Sequence, residues 1–243
     1  MDIELGLMTG VDLLLEDLHL IMHQPTIKEI SLLGEKEFFS ALQLICIDKK
    51  NYSNVEDKNI LEQVNNFQLF MRIIQEKSLV KQKQNIMLCF DLLFPNYQVV
   101  IIPNRTLMFN SEKENTIIDE QNFELFQNKI KQVFKLEGNE EDAFNPVDKR
   151  AEEIAAKLKR GRERVAKEKA AKGEGINSIK QYLSIMTIAI PSMSLKDACD
   201  LTIYQLYTLI ERYGLYVNWD LDVRTRLAGG NPDQHPDNWM KNI

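Results

Sequence analysis

Cysteine, glycine and proline are scarce in this sequence of 243 residues. The three cysteines, Cys46, Cys89 and Cys199, are isolated and form no C-x-x-C motif. This pattern argues against a disulfide scaffold and a zinc ribbon, and it favours a reducing compartment. Ten glycines and seven prolines are few for the length. Their scarcity argues against a turn-rich β-sandwich or barrel and favours a mainly helical fold.

Long apolar runs and targeting signals are also missing. The longest runs, such as residues 184–193, are shorter than the roughly 18 residues that a membrane span needs. The first ten residues are acidic, so we expect no signal peptide. A formal net charge of −6 disfavours a dedicated nucleic-acid binder. The expectation is a soluble intracellular protein with no membrane partner.

Motifs of catalysis and cofactor binding are absent as well. The sequence contains no G-x-G-x-x-G, no Walker loop and no G-x-S-x-G, which predicts a protein that is not an enzyme and takes no cofactor. His19 and His23 stand four apart, but on a predicted strand rather than a metal-binding helix. Asp233, His235 and Asp237 alternate and could hold a cation in a metal-dependent hydrolase. Two neighbouring prolines favour a turn there instead.

The apolar patterning predicts a multi-helix protein with little β-structure. A short strand is expected within residues 11–23, and a β-hairpin insertion near residues 98–109. Thr26 and Glu29 form a predicted capping box that begins a helix, which is broken at Gly34. Further helices are predicted at 119–136, 146–172, 177–189, 195–213 and 219–228, and Ser194 is expected to cap the fourth of these.

One polar, acidic stretch divides the chain. Residues 138–145 predict a hinge between an N-terminal helical domain with the hairpin, residues 1–137, and a C-terminal helical region, residues 146–243. The long helix of the second part carries ten Lys or Arg against four Asp or Glu between residues 149 and 172, a local net charge of +6.

One face of that predicted helix has a pattern that is typical of partner binding. Its small and apolar residues recur at heptad-like spacing and suit a partner helix, while its basic flanks attract an acidic or nucleic-acid surface. An exposed helix that covers its own domain explains the same pattern, and the lack of interleaved aromatics disfavours a nucleic-acid role. The candidate residues here are Ala151, Ile154, Leu158, Arg160, Arg162 and Val165.

Aromatic residues crowd the C-terminal part of the chain. Aromatic anchors are typical of protein interfaces, although the spacing near residue 204 also fits an ordinary core. The candidate partner-binding residues in this region are Tyr204, Tyr207, Tyr216, Trp219 and Trp239.

Four blocks of sequence, in order, resemble a known family. Residues 25–30, PTIKEI, precede a Gly-Glu pair at 34–35, and Asn145-Pro146 opens the helix that contains AEEIAAKLKRGRERVAK. The third block is LTIYQL at 201–206, and the fourth runs from residue 220 to residue 243. Together they resemble tail assembly chaperones of long-tailed bacteriophages and prophages of Gram-positive bacteria.

The resemblance implies a chaperone that binds the tape measure protein, a long helical chain prone to aggregation. It implies that the chaperone keeps this client soluble in the host bacterial cytoplasm until tail tube subunits polymerise, and that it is absent from the mature virion. Further implied partners are the tail tube protein and a longer frameshifted form of the chain. Independently of the resemblance, a second copy of the chain is a candidate partner. The alternative function is a nucleic-acid-associated phage or bacterial factor that uses helix 146–172.

Overall fold

The computed structural model describes residues 2–49, 64–102, 105–112, 115–136, 178–230 and 239–240. Within these ranges the fold is mainly α with two small antiparallel sheets, so the predicted fold class is confirmed. The N-terminal helices are α1 (Ile3–Thr9), α2 (Ile27–Leu33), α3 (Glu35–Ile45), α4 (Asn66–Gln75), α5 (Val80–Leu93) and α6 (Phe123–Val133). The C-terminal helices are α7 (Ile179–Ala189), α8 (Leu195–Cys199) and α9 (Ile203–Leu227).

The predicted N-terminal strand is a hairpin of two strands. Strands β1 (Leu13–Leu15) and β2 (Leu20–Met22) pair antiparallel across a short 3-10 turn. Their side chains alternate between buried and exposed, so one face of the hairpin lies on the core. Alternation predicted a strand here, but a three-residue strand is too short to show where it turns.

The predicted hairpin near residues 98–109 is confirmed and extended by a third strand. Strands β3 (Gln98–Ile102), β4 (Thr106–Asn110) and β5 (Asn115–Ile118) form one antiparallel sheet in the order β3-β4-β5. Leu107, Phe109 and Ile118 are fully buried from one face of this sheet. The third strand has four residues and begins with polar ones, so its sequence carries little strand signal.

Helix ends are set by local capping chemistry. The predicted capping box at Thr26 and Glu29 is confirmed, since the Glu29 amide donates to Thr26 Oγ1 and the Thr26 amide donates to Glu29 Oε2. Gly34, with φ of 101°, ends α2, because that backbone conformation strains any residue with a side chain. Ser194 caps α8 as expected, in a second box with Asp197.

The C-terminal helices differ from the prediction in two places. Only five residues, Leu195–Cys199, follow the Ser194 cap as α8, because the chain turns and Thr202 begins a new helix with its own capping box. Helix α9 then runs 25 residues without a break, where the sequence predicted two helices. Gly214 lies inside α9 and does not interrupt it. The predicted helix 146–172 and the acidic hinge lie outside the described residues.

Phenylalanine side chains dominate the core. Phe94 lies at the centre, with ring-centroid distances of 4.8 Å to Phe109 and 5.8 Å to Phe126. Phe38 packs edge-to-face on Phe134 at 5.4 Å. Such tilted and edge-to-face ring pairs are the favoured aromatic geometries in protein interiors.

The C-terminal helices contribute to the same core as the N-terminal ones. The core cluster includes Ile179 and Met186 from α7 and Ile203 and Leu206 from α9. A short antiparallel bridge joins Thr26 to Thr202, and the Ile27 amide donates to the Leu201 carbonyl at 2.9 Å. These contacts fix where α9 begins, which positions the rest of that helix.

Candidate functional site

The second half of α9 extends beyond the core. Its 25 residues span roughly 37 Å at about 1.5 Å per residue. Ile203 and Leu206 are the buried residues of α9, and Ile210 is the last of its described apolar residues that packs against the core. Residues 212–227, the distal half of α9, therefore present side chains that the core does not use.

Three of the predicted aromatic residues meet on this distal half. We call Tyr216, Trp219 and Trp239 the aromatic cluster. The Tyr216 ring centroid lies 6.2 Å from that of Trp219 and 5.7 Å from that of Trp239, and the two indoles lie 6.3 Å apart. The Tyr216–Trp239 pair is edge-to-face at 82°. The structure thus brings together residues that are up to 23 positions apart in sequence.

A hydrogen bond to the main chain accompanies this packing. Arg212 Nη1 donates to the Trp239 carbonyl oxygen at 2.6 Å. Arg212, Tyr216 and Trp219 follow one another at i, i+4 and i+7, so they share one face of α9. The Arg212 guanidinium and the rings of Tyr216 and Trp219 form a surface on which the turn containing Trp239 packs.

Exposed apolar residues lie on the same half of α9 and next to Trp239 in the sequence. Tyr216 is 42% exposed, Leu221 58%, Leu227 83% and Met240 66%. Large exposed apolar side chains close to aromatic ones are typical of protein interfaces. Surfaces of this composition bind other proteins through apolar contact.

Charges on the same half of α9 are paired within the helix. Arg224 Nε lies 2.8 Å from Asp220 Oδ2, and Arg226 Nε lies 2.7 Å from Asp222 Oδ2, both at i, i+4 spacing. Opposite charges at this spacing offset one another locally. These two ion pairs therefore add no net charge to the half of α9 that carries the aromatic cluster.

Tyr204 and Tyr207, which the sequence grouped with the cluster, lie on the first half of α9 and make intramolecular contacts. Tyr207 packs edge-to-face on Tyr182 of α7 at 5.5 Å, and burial raises its pKa to about 12. Lys135 Nζ lies 5.0 Å from the Tyr204 ring centroid and 2.6 Å from Glu211 Oε2. The ordinary core spacing noted in the sequence explains these two tyrosines.

The other predicted partner-binding residues lie outside the described residues. These are Ala151, Ile154, Leu158, Arg160, Arg162 and Val165. Asp233, His235 and Asp237, the alternative cation site, also lie outside them. Among the residues that the structure describes, no group of three or more His, Cys, Asp or Glu side chains could hold a metal ion.

His23 lies in a polar cluster rather than at a metal site. Its Nδ1 is 2.7 Å from Asp12 Oδ1, and its Nε2 is 3.4 Å from Glu29 Oε2. Burial acts to lower the pKa of His23, but the hydrogen bonds and charges of the two carboxylates outweigh it and raise that pKa above the usual value. This cluster joins β2, the α1–β1 loop and the start of α2, which is a structural role.

The cysteines show the character expected from their apolar surroundings. Burial raises the pKa of the Cys46 thiol to about 12 and also raises that of Cys89. Thiols with raised pKa values carry little thiolate at neutral pH and are poor nucleophiles. Both are structural residues of the core.

Two residues beside the aromatic cluster were not predicted from the sequence. Arg212 donates to the Trp239 carbonyl, and Met240 is the exposed residue that follows Trp239. The helical spacing of Arg212 with the aromatics would have found it, but the predicted break between residues 213 and 219 hid the common face. Gly214 directly follows the predicted end of the first of these helices, and glycine is a common helix terminator.

Comparisons with known proteins cover the region that contains the surface. Residues 167–243 match a protein-family model described as the YomV second domain. No curated protein and no solved structure matches the chain. A separate finding concerns membranes: none of the described helices is both long enough and apolar enough to cross one. The C-terminal third of the chain, including all of α9 and the aromatic cluster, is therefore similar to a phage-associated domain family.

Proposed function

We propose that the chain is a tail assembly chaperone of a long-tailed phage or prophage, which binds the tape measure protein and keeps it soluble. The observation that carries this proposal is the pair of aromatic side chains Tyr216 and Trp219 on the distal half of α9, which lies beyond the core and leaves Tyr216 exposed. A helical, aggregation-prone client exposes apolar stripes, which such a surface can cover.

Two further observations support the proposal. The segment that builds the surface lies within the match to a phage-associated domain family. The sequence blocks that resemble the chaperone family include LTIYQL, whose Thr202 caps α9, and the block from residue 220 onward, whose described residues include Trp239. The resemblance and the exposed surface therefore fall on the same element.

The remaining parts of the proposal concern setting and further partners. We infer that the chaperone acts in the host bacterial cytoplasm, helps to recruit tail tube subunits and stays out of the finished virion. A longer frameshifted form of the chain and a second copy are further partners in this scheme. The segment 146–172, which the sequence predicts to be helical, adds a second contact to the client through its apolar residues and basic flanks in this proposal.

The test is copurification with the client. We expect the client to be encoded by a very long helical reading frame next to this gene, and its segments are coexpressed with the tagged chain. The double variant Tyr216→Ala/Trp219→Ala should weaken binding by about 30-fold or more, because the loss of a single aromatic hot spot already costs about 2 kcal/mol and hot-spot values do not simply add. The measurement is a titration of a soluble client segment by calorimetry.

Leu32→Ala provides the matched control. Leu32 is an exposed leucine of α2, 86% exposed, and its removal should leave client binding unchanged. No client binding by the wild-type chain would contradict the proposal. Binding to DNA or RNA in its place, with affinity falling steeply as salt rises, would favour the nucleic-acid alternative.

A further inference from the structure

The turn that contains Trp239 is seated on the surface proposed to bind the client. Trp239 contacts both Tyr216 and Trp219 and accepts the hydrogen bond from Arg212. We propose that this turn is an intramolecular occupant of the client-binding surface, and that the client replaces it with an aromatic side chain and a main-chain carbonyl of its own. The statement that the client replaces this turn rests on the proposed function.

The contacts define the chemistry of the partner. Arg212 binds a main-chain carbonyl, a group that every peptide offers, so this contact requires a peptide but no particular sequence. Tyr216 meets the Trp239 indole edge-to-face, an arrangement that a Trp, Tyr or Phe of another chain can also adopt. The surface therefore fits an amphipathic peptide segment with one aromatic anchor, and Trp239 shows how that anchor binds.

The position of Trp239 implies competition with a bound client. A segment tethered to its own site is present at high effective concentration, so it can occupy the site without being a strong ligand. A client then binds only to the fraction of molecules in which the turn has moved away, and its apparent affinity falls by that fraction. Weakening the contact of Trp239 should strengthen client binding.

Tryptophan fluorescence tests the intramolecular contact without any client. The chain has two tryptophans, so Trp239→Ala and Trp239→Phe each leave Trp219 as the only emitter when the excitation wavelength is too long for tyrosine to absorb. Phenylalanine can still pack on Tyr216, whereas alanine cannot. The Trp219 emission of Trp239→Ala should be quenched by acrylamide at least twice as strongly as that of Trp239→Phe, with unchanged far-UV circular dichroism.

Two arginines on the same helix extend the test. In the Trp239→Phe background, Arg212→Ala should raise acrylamide quenching of Trp219, because it removes the hydrogen bond that helps hold the turn. Arg224→Ala should not, since Arg224 pairs with Asp220 in the ion pair described. Equal quenching in Trp239→Ala, Trp239→Phe and the Arg212→Ala variant would overturn the proposal.

Client titration separates the two proposals. The full-length Trp239→Ala chain should bind a tape measure segment at least threefold more tightly than the wild type. Weaker binding by Trp239→Ala would show that Trp239 is part of the client surface, which overturns the competition. No binding by either chain, together with the expected difference in quenching, would contradict the proposed function while supporting the intramolecular contact.

Discussion

At the scale of single residues, the Glu29 carboxylate is held by partners close to it in sequence. Glu29 accepts hydrogen bonds from the Thr26 amide and hydroxyl and lies 3.4 Å from His23. Burial acts to raise the pKa of Glu29, but these hydrogen bonds and the charge of His23 outweigh it and lower that pKa. The capping box could be predicted from Thr26-Ile27-Lys28-Glu29, whereas the approach of Asp12 to His23 depends on the hairpin and could not.

The His23 cluster gives a prediction about pH. Because the pKa of His23 is raised in the folded state, its pairing stabilises the protein below the unfolded-state pKa of about 6.5. That contribution is lost as the pH rises through the folded-state value. His23→Gln should therefore be less stable than the wild type at pH 5.5, by less than about 1 kcal/mol for a partly exposed pair, and the difference should shrink by pH 8.5. Urea denaturation at the two pH values measures it, and a difference that grows with pH would contradict the cluster.

At the scale of elements, α9 shows where sequence patterns stop being informative. Capping residues identified the starts of α2 and α8, because Thr26 and Ser194 act on amides three residues away. The continuity of α9 through Gly214 could not be predicted, because it depends on the balance between the cost of one glycine and the stability of the flanking turns. The same holds for the candidate site. Tyr216, Trp219 and Trp239 could be named from the sequence, but the packing of Trp239 on the other two could not be predicted.

Gly214 gives a prediction at this scale. A methyl group added at its Cα would meet no atom within 4 Å outside the helix's own backbone, and alanine is the better helix former. Gly214→Ala should therefore stabilise the protein by about 0.5–1 kcal/mol, which corresponds to a rise in Tm of roughly 1–4 °C. Differential scanning calorimetry measures the shift.

Gly34→Ala provides the opposite control. Its φ of 101° is strained for alanine, and a Cβ there would lie 2.7 Å from Glu37 Oε2. This variant should lower Tm. A fall in Tm for Gly214→Ala would mean that the distal half of α9 contributes little helical structure to the folded state.

At the scale of the whole molecule, the described helices from both ends of the chain share one core. Glu35 Oε1 accepts a hydrogen bond from the Ile179 amide at 2.9 Å, and Gln205 Nε2 donates to the Met8 carbonyl at 2.9 Å. The sequence predicted a boundary at residues 138–145, which lies outside the described residues and stays a prediction. Composition can indicate a hinge, but it does not show that helices on the two sides of the hinge pack into one core.

The shared core predicts coupled stability. Phe38 of α3 is fully buried against Phe39 and Phe134. Phe38→Leu should cost about 1–2 kcal/mol, since complete truncation of a buried phenylalanine costs about 3–5 kcal/mol. Native-state hydrogen exchange should show the same loss of protection at Leu206 in α9 as at Leu42 in α3. A loss confined to α3 would indicate that the two parts unfold independently.

The bridge between Thr26 and Thr202 sets an order of events during synthesis. The ribosome releases Thr26 long before Thr202, so the nascent chain reaches its N-terminal hairpin and helices with the places of Ile203 and Leu206 unfilled. Helix α9 docks only after translation has passed Leu206. The distal surface is therefore presented in its final position only after translation has passed Leu227, and a product truncated before Ile203 would expose core in place of the binding surface.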